Sequence, residues 1–268
     1  MPVFLAEGLK IAYRVDGPED APPLVLINSL GTNLHIWDTH TEALSSTLRV
    51  IRFDERGHGA SEPPSGPCTI EQYGNDLLTL LDTLGIARAH LCGLSLGGVI
   101  AQWCAIQHPE RVLSATFANT AARIGNEQIW DERVAAVQAG GLASILEAVI
   151  ARFLSANYRL THPAETQRIS EIVMTTSPTG YIAACLALRS ADLRPYVSSI
   201  HVPTLIIAGE LDVSAPPAQA EELHAAIPGS KLIIFPGVAH QSNIERPAEF
   251  SAYVLEHLQG TEPANTPA

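Results

Sequence analysis

The fold can be inferred from residues 89–98, which read AHLCGLSLGG. Residues 89–92 form a run of strand length, and the residues after Gly98 have helical character, so Ser95 falls in a tight turn between a strand and a helix. Such a turn strains the serine and exposes its hydroxyl, and glycines flank it because a Cβ would collide there. The segment therefore predicts Ser95 as a catalytic nucleophile.

The glycine-rich turn must also be weighed as a nucleotide-binding loop. Ser95 stands where the dinucleotide-binding fingerprint needs its second glycine, and no lysine follows as a phosphate-binding P-loop requires. Both nucleotide interpretations are therefore discounted.

Apolar runs of strand length alternate with stretches of helical periodicity along most of the chain. Runs that are apolar on both faces suit a parallel sheet that is covered by helices on each side. We therefore predict an α/β fold with a mostly parallel central sheet flanked by helices. The strand-length runs are residues 24–28, 50–53, 89–92, 112–118, 204–208 and 232–235. A capping box at residues 69–72 predicts the start of a helix that ends near Gly85.

The alternation stops after Ala118. Residues 121–193 contain amphipathic helical segments and no strand-like run. A helical insertion at this point would cover the carboxyl edge of the sheet, where ligands bind in open α/β sheets. We therefore predict a core domain formed by residues 1–120 and 194–259, a helical cap at 121–193, and a disordered tail at 260–268.

Composition limits the possible partners and the location of the protein. The formal net charge of -12 repels nucleic-acid phosphates and anionic membranes, and no Lys or Arg cluster overrides it. The sequence shows neither a signal-peptide pattern nor a run of about 18 apolar residues. We expect a cytoplasmic protein that binds neither nucleic acid nor membranes, and the oligomeric state is not indicated. Free thiols and no metal site are expected for Cys68, Cys92, Cys104 and Cys185, which lack C-x-x-C and zinc-ligand spacing.

A serine hydroxyl is a poor nucleophile near neutral pH and needs a base within hydrogen-bond distance. In a strand–turn–helix arrangement of this kind the acid and then the histidine follow the serine along the chain. His240 follows the run 232–235 through a short loop, whereas His224 and His257 lie in helical runs. His201 precedes the strand that should supply the acid. We therefore predict His240 as the general base.

The acid is expected after the strand before the last one. The residues Gly209-Glu210-Leu211-Asp212 directly follow the run 204–208. We favour Asp212 over Glu210, whose side chain should be displaced around the turn. The predicted role of Asp212 is to hold the imidazole tautomer and to stabilise the imidazolium.

A tetrahedral oxyanion needs two preorganised donors, each worth roughly 3 kcal/mol of barrier. We predict the backbone N–H of Leu96, the residue after the nucleophile, as one donor. The loop 28–31 follows an earlier strand, and we assign the second donor to the N–H of Leu30. A plain strand-exit turn is the alternative interpretation of this loop.

A dense polar turn, DERGHGAS, follows another strand at residues 54–61. We interpret it as a framework of arginine, carboxylates and glycines that braces the neighbouring loops. Direct catalysis by this turn is the less favoured alternative.

Together these features resemble the α/β-hydrolase superfamily over nearly the whole chain. Within it the chain is similar to the 3-oxoadipate enol-lactonase family of the β-ketoadipate pathway. It departs from many hydrolases at Asn28-Ser29, where they have His-Gly. The more specific likeness lies in NSLGT at 28–32, CGLSLGG at 92–98, NTAARIG at 119–125, and GYIAAC at 180–185 leading to ALRSADL at 187–193.

The resemblance implies hydrolysis of 3-oxoadipate enol-lactone to 3-oxoadipate through an acyl-enzyme, without a metal or organic cofactor. That anionic substrate needs a local cation in an acidic protein. Trp130 and Arg133, three residues apart on a predicted helix, would present an apolar wall beside a guanidinium. We expect Arg133 to bind the substrate carboxylate, with Arg123 and Arg189 as rivals and a solvated helix face as the alternative.

Other functions use the same residues. A carboxylesterase, a carbon–carbon bond hydrolase or a perhydrolase would share the predicted nucleophile, base and acid. A non-catalytic ligand-binding protein with a hydrolase fold is an alternative from another class. Dehalogenases and epoxide hydrolases of this fold use an aspartate nucleophile, so Ser95 disfavours them.

Overall fold

The computed structural model describes residues 1–260, in which helices flank an eight-stranded sheet. The strands are β1 Val3–Ala6, β2 Leu9–Asp16, β3 Pro23–Ile27, β4 Arg49–Phe53, β5 Ala89–Leu94, β6 Val112–Ala118, β7 Thr204–Gly209 and β8 Lys231–Phe235. The helices are α1 Asp38–Ser45, α2 Ile70–Thr83, α3 Leu96–Gln107, α4 Glu127–Gly140, α5 Leu146–Phe153, α6 Ala156–Thr161, α7 Pro163–Met174, α8 Pro178–Ser190, α9 Pro217–Ala226, α10 Ser242–Glu245 and α11 Pro247–Gln259.

The strands are ordered β1-β2-β4-β3-β5-β6-β7-β8 across the sheet. β1 pairs antiparallel with β2, and β2 pairs antiparallel with β4, whereas every other pairing is parallel. The predicted fold class is therefore confirmed. The parallel strands direct their carboxyl ends to one edge of the sheet, and the loops of the candidate site leave from that edge.

β1 and β2 are not predicted by the apolar-run pattern. β1 alternates exposed and buried residues, and only two central residues of β2 are fully buried. Antiparallel strands at the side of a sheet keep one face toward solvent, so they lack a continuous apolar run. The predicted runs all correspond to the parallel part of the sheet, from β3 to β8.

The helix α2 shows how local sequence fixes an element. The Thr69 side chain accepts a hydrogen bond from the backbone N–H of Gln72, and the Gln72 side chain accepts one from the backbone N–H of Thr69. In both hydrogen bonds of this capping box the backbone N–H donates and the side-chain oxygen accepts, so two N–H groups that would otherwise lack partners at the start of the helix are satisfied. Tyr73, Leu77, Leu80 and Leu81 are buried on one face, and Gly85 follows the helix with a φ of 68°. The predicted helix is confirmed.

The segment between β6 and β7 contains the helices α4 to α8 and no strand. α4 packs on α8, and α5 packs on α7. The division into core domain and cap stays a prediction. The predicted tail at 260–268 lies outside the described residues except for Gly260.

Three further observations concern membrane-spanning helices, cysteines and metal ligands. Within residues 1–260 no helix is long and apolar enough to cross a membrane. All four cysteines are buried free thiols, as predicted. No group of three or more His, Cys, Asp or Glu side chains in the described part of the chain is arranged to hold a metal ion.

Candidate active site

The candidate catalytic residues leave the carboxyl ends of neighbouring strands. Ser95 follows β5, Asp212 lies three residues after β7, and His240 lies five residues after β8. Since β5 is joined to β7 through β6, and β8 lies beside β7, these loops share one edge of the sheet.

Ser95 has a strained backbone. Its φ is 55° and its ψ is -110°, a conformation that non-glycine residues seldom adopt. The turn is fixed from two sides, since the Ser95 N–H donates to the carbonyl of Ala118 at 2.9 Å and the Thr120 hydroxyl donates to the carbonyl of Ser95 at 2.8 Å. Contacts to the end of β6 and the loop after it therefore hold the serine in place.

The glycines of the turn are required by close backbone approach. A Cβ on Gly93 would lie 2.1 Å from the carbonyl oxygen of Gly97. A Cβ on Gly97 would lie 2.3 Å from the carbonyl oxygen of Ile27. The Gly97 N–H donates to the carbonyl of Asn28 at 2.9 Å, which joins the serine turn to the predicted oxyanion loop. Gly93 therefore allows the end of β5 to approach the start of α3, and Gly97 allows the start of α3 to approach the end of β3.

His240 and Asp212 form a buried pair. The Nδ1 of His240 lies 2.8 Å from Oδ2 of Asp212, and their exposed fractions are 2% and 3%. Because an ionised carboxylate only accepts hydrogen bonds, Nδ1 carries the proton and Nε2 is left as a proton acceptor. Glu210 is exposed and accepts instead from the N–H of Gly237 at 2.7 Å. The geometry therefore agrees with the choice of Asp212 over Glu210.

The Asp212 carboxylate has donors on both oxygens. Oδ1 accepts from the N–H groups of Ser214 at 2.8 Å and Ala215 at 3.0 Å. Burial alone would raise the pKa of Asp212, but the charge and hydrogen bond of His240, the Ala215 N–H and the Asn119 amide outweigh it and lower the pKa. The carboxylate therefore stays ionised opposite His240 at neutral pH.

Asn119 is a structural partner of this pair that the sequence reasoning missed. Its Nδ2 donates to Oδ2 of Asp212 at 3.0 Å and to the carbonyl of Ala239 at 3.2 Å. Its Oδ1 accepts from the hydroxyl of Ser242. Asn119 directly follows β6 and has a φ of 46°, so its position at the carboxyl end of a strand was the available signal. It links the acid to the loop that carries His240.

Ser95 and His240 line one small cavity. The ring of Phe153, on α5, stacks on the His240 imidazole with the ring centroids 5.8 Å apart. The predicted residues Leu30, Trp130 and Arg133 line the same cavity, which also contains residues that the sequence did not single out. The remaining lining residues are Ser29, Ile124, Val149, Arg152, Phe153, Tyr181 and Ser214.

Arg133 is the one predicted arginine that faces this cavity. Its guanidinium carbon lies 5.1 Å from the centroid of the Trp130 ring, a cation–π contact. The rivals are engaged elsewhere, since Arg123 pairs with Asp192 at 3.4 Å and Arg189 pairs with Asp131 at 2.6 Å. Arg133 is half-buried and contributes to the cavity wall, which favours the predicted role over a solvated helix face.

The predicted oxyanion donors occupy suitable surroundings. Leu30 and Leu96 are both buried, and neither backbone N–H makes a turn or loop hydrogen bond within residues 1–260. The first residue of a helix has no intrahelical acceptor for its N–H, which leaves Leu96 free to donate to a ligand. Ser29, beside Leu30, has a buried hydroxyl with no hydrogen-bond partner in the described part of the chain.

The turn at 54–61 braces the loop that carries Leu30. Glu55 accepts from the N–H of Asn28 at 2.8 Å, and Nε2 of His58 accepts from the N–H of Gly31 at 3.1 Å. Burial lowers the pKa of His58 to about 4, so the ring is neutral and can accept this hydrogen bond at neutral pH. These contacts support the framework interpretation of the turn.

Comparison with known proteins places the chain in a family. Residues 22–247 match the family model described as the alpha/beta hydrolase fold. Two proteins of Acinetobacter baylyi are similar to this chain. 3-Oxoadipate enol-lactonase 2 is 38% identical, with 94% of this chain and 96% of the relative covered. 3-Oxoadipate enol-lactonase 1 is 37% identical, with 91% of each chain covered.

A solved structure gives the same result. The crystal structure of the enol-lactonase from Burkholderia xenovorans LB400 superposes with a TM-score of 0.94 at 42% identity, covering 96% of this chain and all of that one. The chain therefore belongs to the alpha/beta hydrolase fold family, within which it is similar to the 3-oxoadipate enol-lactonases.

Proposed function

We propose that this protein hydrolyses 3-oxoadipate enol-lactone to 3-oxoadipate, with Ser95 as nucleophile, His240 as general base and Asp212 as the orienting acid. The observation that carries the proposal is the shared cavity, where Ser95 and His240 lie with Arg133, a cation without an ion-pair partner among the described residues. This combination suits a lactone that carries a carboxylate.

In the first step Ser95 Oγ attacks the lactone carbonyl carbon while Nε2 of His240 takes the hydroxyl proton. Negative charge develops on the carbonyl oxygen, and the N–H groups of Leu30 and Leu96 are the proposed donors to it. The bond between the carbonyl carbon and the ring oxygen then breaks. The leaving oxygen takes the proton from His240 and becomes an enol, which tautomerises to the ketone.

In the second step a water molecule hydrolyses the acyl-enzyme. His240 removes a proton from the water as the water oxygen attacks the acyl carbon. The bond between that carbon and Ser95 Oγ then breaks, and the protonated His240 returns the proton to Oγ. The product leaves with a new carboxylate in place of the lactone. Asp212 keeps the proton of His240 on Nδ1 throughout and stabilises the imidazolium that forms in each step.

Arg133 and Trp130 are proposed to bind the substrate rather than to react. The guanidinium would donate charge-assisted hydrogen bonds to the substrate carboxylate, and the indole would cover the apolar part of the ring. Trp130 is well fixed for this purpose, since its Nε1 donates to the carbonyl of Ile124 at 2.8 Å. The names of the similar enol-lactonases support this substrate. A role in aromatic compound degradation and a cytoplasmic location are part of the same proposal.

The test is the loss of 3-oxoadipate enol-lactone, followed by ultraviolet absorbance after its generation in situ from muconolactone. We expect rapid loss with the wild-type protein and none above background with Ser95→Ala. If the wild-type protein does not consume the lactone but cleaves aryl esters, the proposed catalytic residues stand and the assignment of the lactone as substrate is wrong. Failure of the folded wild-type protein to react with a fluorophosphonate probe would favour a non-catalytic binding protein instead.

A further inference from the structure

The candidate cavity contains a second arginine that the proposed hydrolysis does not use. Arg152 lies in the last turn of α5 and Arg133 lies on α4, and both line the wall that includes Ser95 and His240. No aspartate or glutamate lines this cavity. Neither arginine has an ion-pair partner within residues 1–260.

Two arginines in a cavity without a carboxylate contrast with the acidic balance of the chain. The protein has 28 acidic residues and 16 Lys and Arg residues, so most cations can find a carboxylate nearby. Arg123, Arg189 and Arg194 all do so. Two unpaired guanidiniums in one small cavity therefore indicate a site whose counter-charge comes from a ligand.

The two arginines interact with each other. Burial lowers the pKa of Arg152, and the positive charge of Arg133 lowers it further. Tyr181 is a buried residue of the cavity wall. Its hydroxyl interacts with Arg133, and the positive charges of Arg133 and Arg152 both act on it. The cavity wall thus places two repelling cations in a partly buried position, and an anion bound between them would relieve that repulsion.

We propose that Arg152 and Arg133 together form an anion subsite that discriminates by charge number, so that the cavity binds a dicarboxylate more tightly than a monocarboxylate of the same shape. This inference rests on the proposed function for its biological ligand. Ring opening converts a lactone with one carboxylate into a product with two. Because of the second arginine, the dicarboxylate product competes with the lactone substrate for the site. Arg152 is therefore a specificity-determining residue.

The experiment is isothermal titration calorimetry with two inert six-carbon ligands, adipate and adipamate. Adipamate replaces one carboxylate of adipate with an uncharged amide and keeps the chain length. We expect the wild-type protein to bind adipate at least about tenfold more tightly, the effect of one additional charge-assisted hydrogen-bonded contact. We expect Arg152→Gln to lose this preference and Arg152→Lys, which keeps the charge, to retain most of it.

The matched control is Arg189→Gln, which removes an arginine that pairs with Asp131 outside the cavity and should leave the adipate preference unchanged. Equal affinities for the two ligands, no measurable binding of adipate, or an unchanged preference in folded Arg152→Gln would overturn the inference. Because calorimetry needs no turnover, an active lactonase without the preference would overturn this inference alone. A clear preference in a protein that does not consume the lactone would overturn the proposed function alone.

Discussion

The carboxyl edge of the sheet and the helical segment between β6 and β7 contribute to the candidate site in different ways. The edge supplies Ser95, Asp212 and His240, each at a short distance from the end of a strand. The helices α4 and α5 supply Arg133 and Arg152. The positions at the edge are fixed by backbone hydrogen bonds of the sheet, whereas those on the helices depend on tertiary packing. We infer that the edge determines the reaction and that the helices determine which ester is accepted.

The largest effect is expected at the sheet edge. Asp212→Asn should lower kcat for the enol-lactone by about 10⁴-fold, because the amide favours the wrong imidazole tautomer, as in other enzymes with this arrangement. The measurement is steady-state kinetics of the purified variant beside Glu210→Gln, whose carboxylate binds only the exposed Gly237 turn. The control should stay close to wild type. A loss of less than tenfold in Asp212→Asn would remove Asp212 from the proposed role.

The helical segment should respond differently. Arg133→Gln should raise KM for the enol-lactone by about 10- to 100-fold, the effect of losing a hydrogen bond to a charged group. Hydrolysis of a neutral aryl ester should change little, because that substrate has no carboxylate. Arg123→Gln is the matched control, since Arg123 pairs with Asp192 away from the cavity. An unchanged KM in Arg133→Gln would contradict the proposal that Arg133 binds the substrate carboxylate.

The packing of the edge can be tested by stability. Gly97→Ala should lower the free energy of unfolding by about 1–3 kcal/mol or more, since its Cβ would meet the carbonyl of Ile27 at 2.3 Å. Gly66→Ala is the control, because a Cβ there has no heavy atom within 4 Å. Chemical denaturation of the two variants gives the comparison. Equal stabilities would mean that the turn does not depend on the close approach of β3.

The smallest effect is expected at Ser29. Its buried hydroxyl has no protein partner within residues 1–260, so Ser29→Ala should not lower stability. Because Ser29 is part of the cavity wall, we expect its hydroxyl to bond the ligand, and kcat/KM for the enol-lactone should fall about fivefold in the variant, the effect of one neutral hydrogen bond. Thr116→Val removes another unpartnered buried hydroxyl, outside the cavity, and should leave turnover unchanged. Identical turnover in both variants would show that Ser29 does not contact the ligand.

The same contrast explains how far sequence reasoning reaches. Ser95, Asp212 and His240 are predictable because each follows an apolar strand, and the carboxyl ends of parallel strands must share an edge. Arg152 is not predictable, because no local pattern states which face of α5 turns toward Ser95. Arg133 was singled out through its spacing from Trp130, and its location in the cavity depends on the packing of α4 against α8.

Two other features, β1 and the role of Asn119, were not predicted from the sequence for related reasons. β1 alternates exposed and buried residues, so it gives no apolar run. Asn119 lies in a motif that was noted only for its resemblance to enol-lactonases, and its bond to Asp212 spans 93 positions of the chain. Long-range side-chain contacts of this kind appear only when the strands are assembled.

The most direct test of this division of roles compares two substrates that differ in one charge. The measurement is kcat/KM of the wild-type protein for 3-oxoadipate enol-lactone and for the same lactone with its carboxylate methyl-esterified. We expect the free acid to be preferred by about 10- to 100-fold, since the reacting ring is identical and only the contact with the arginines differs. Equal values, or a preference for the methyl ester, would contradict the account.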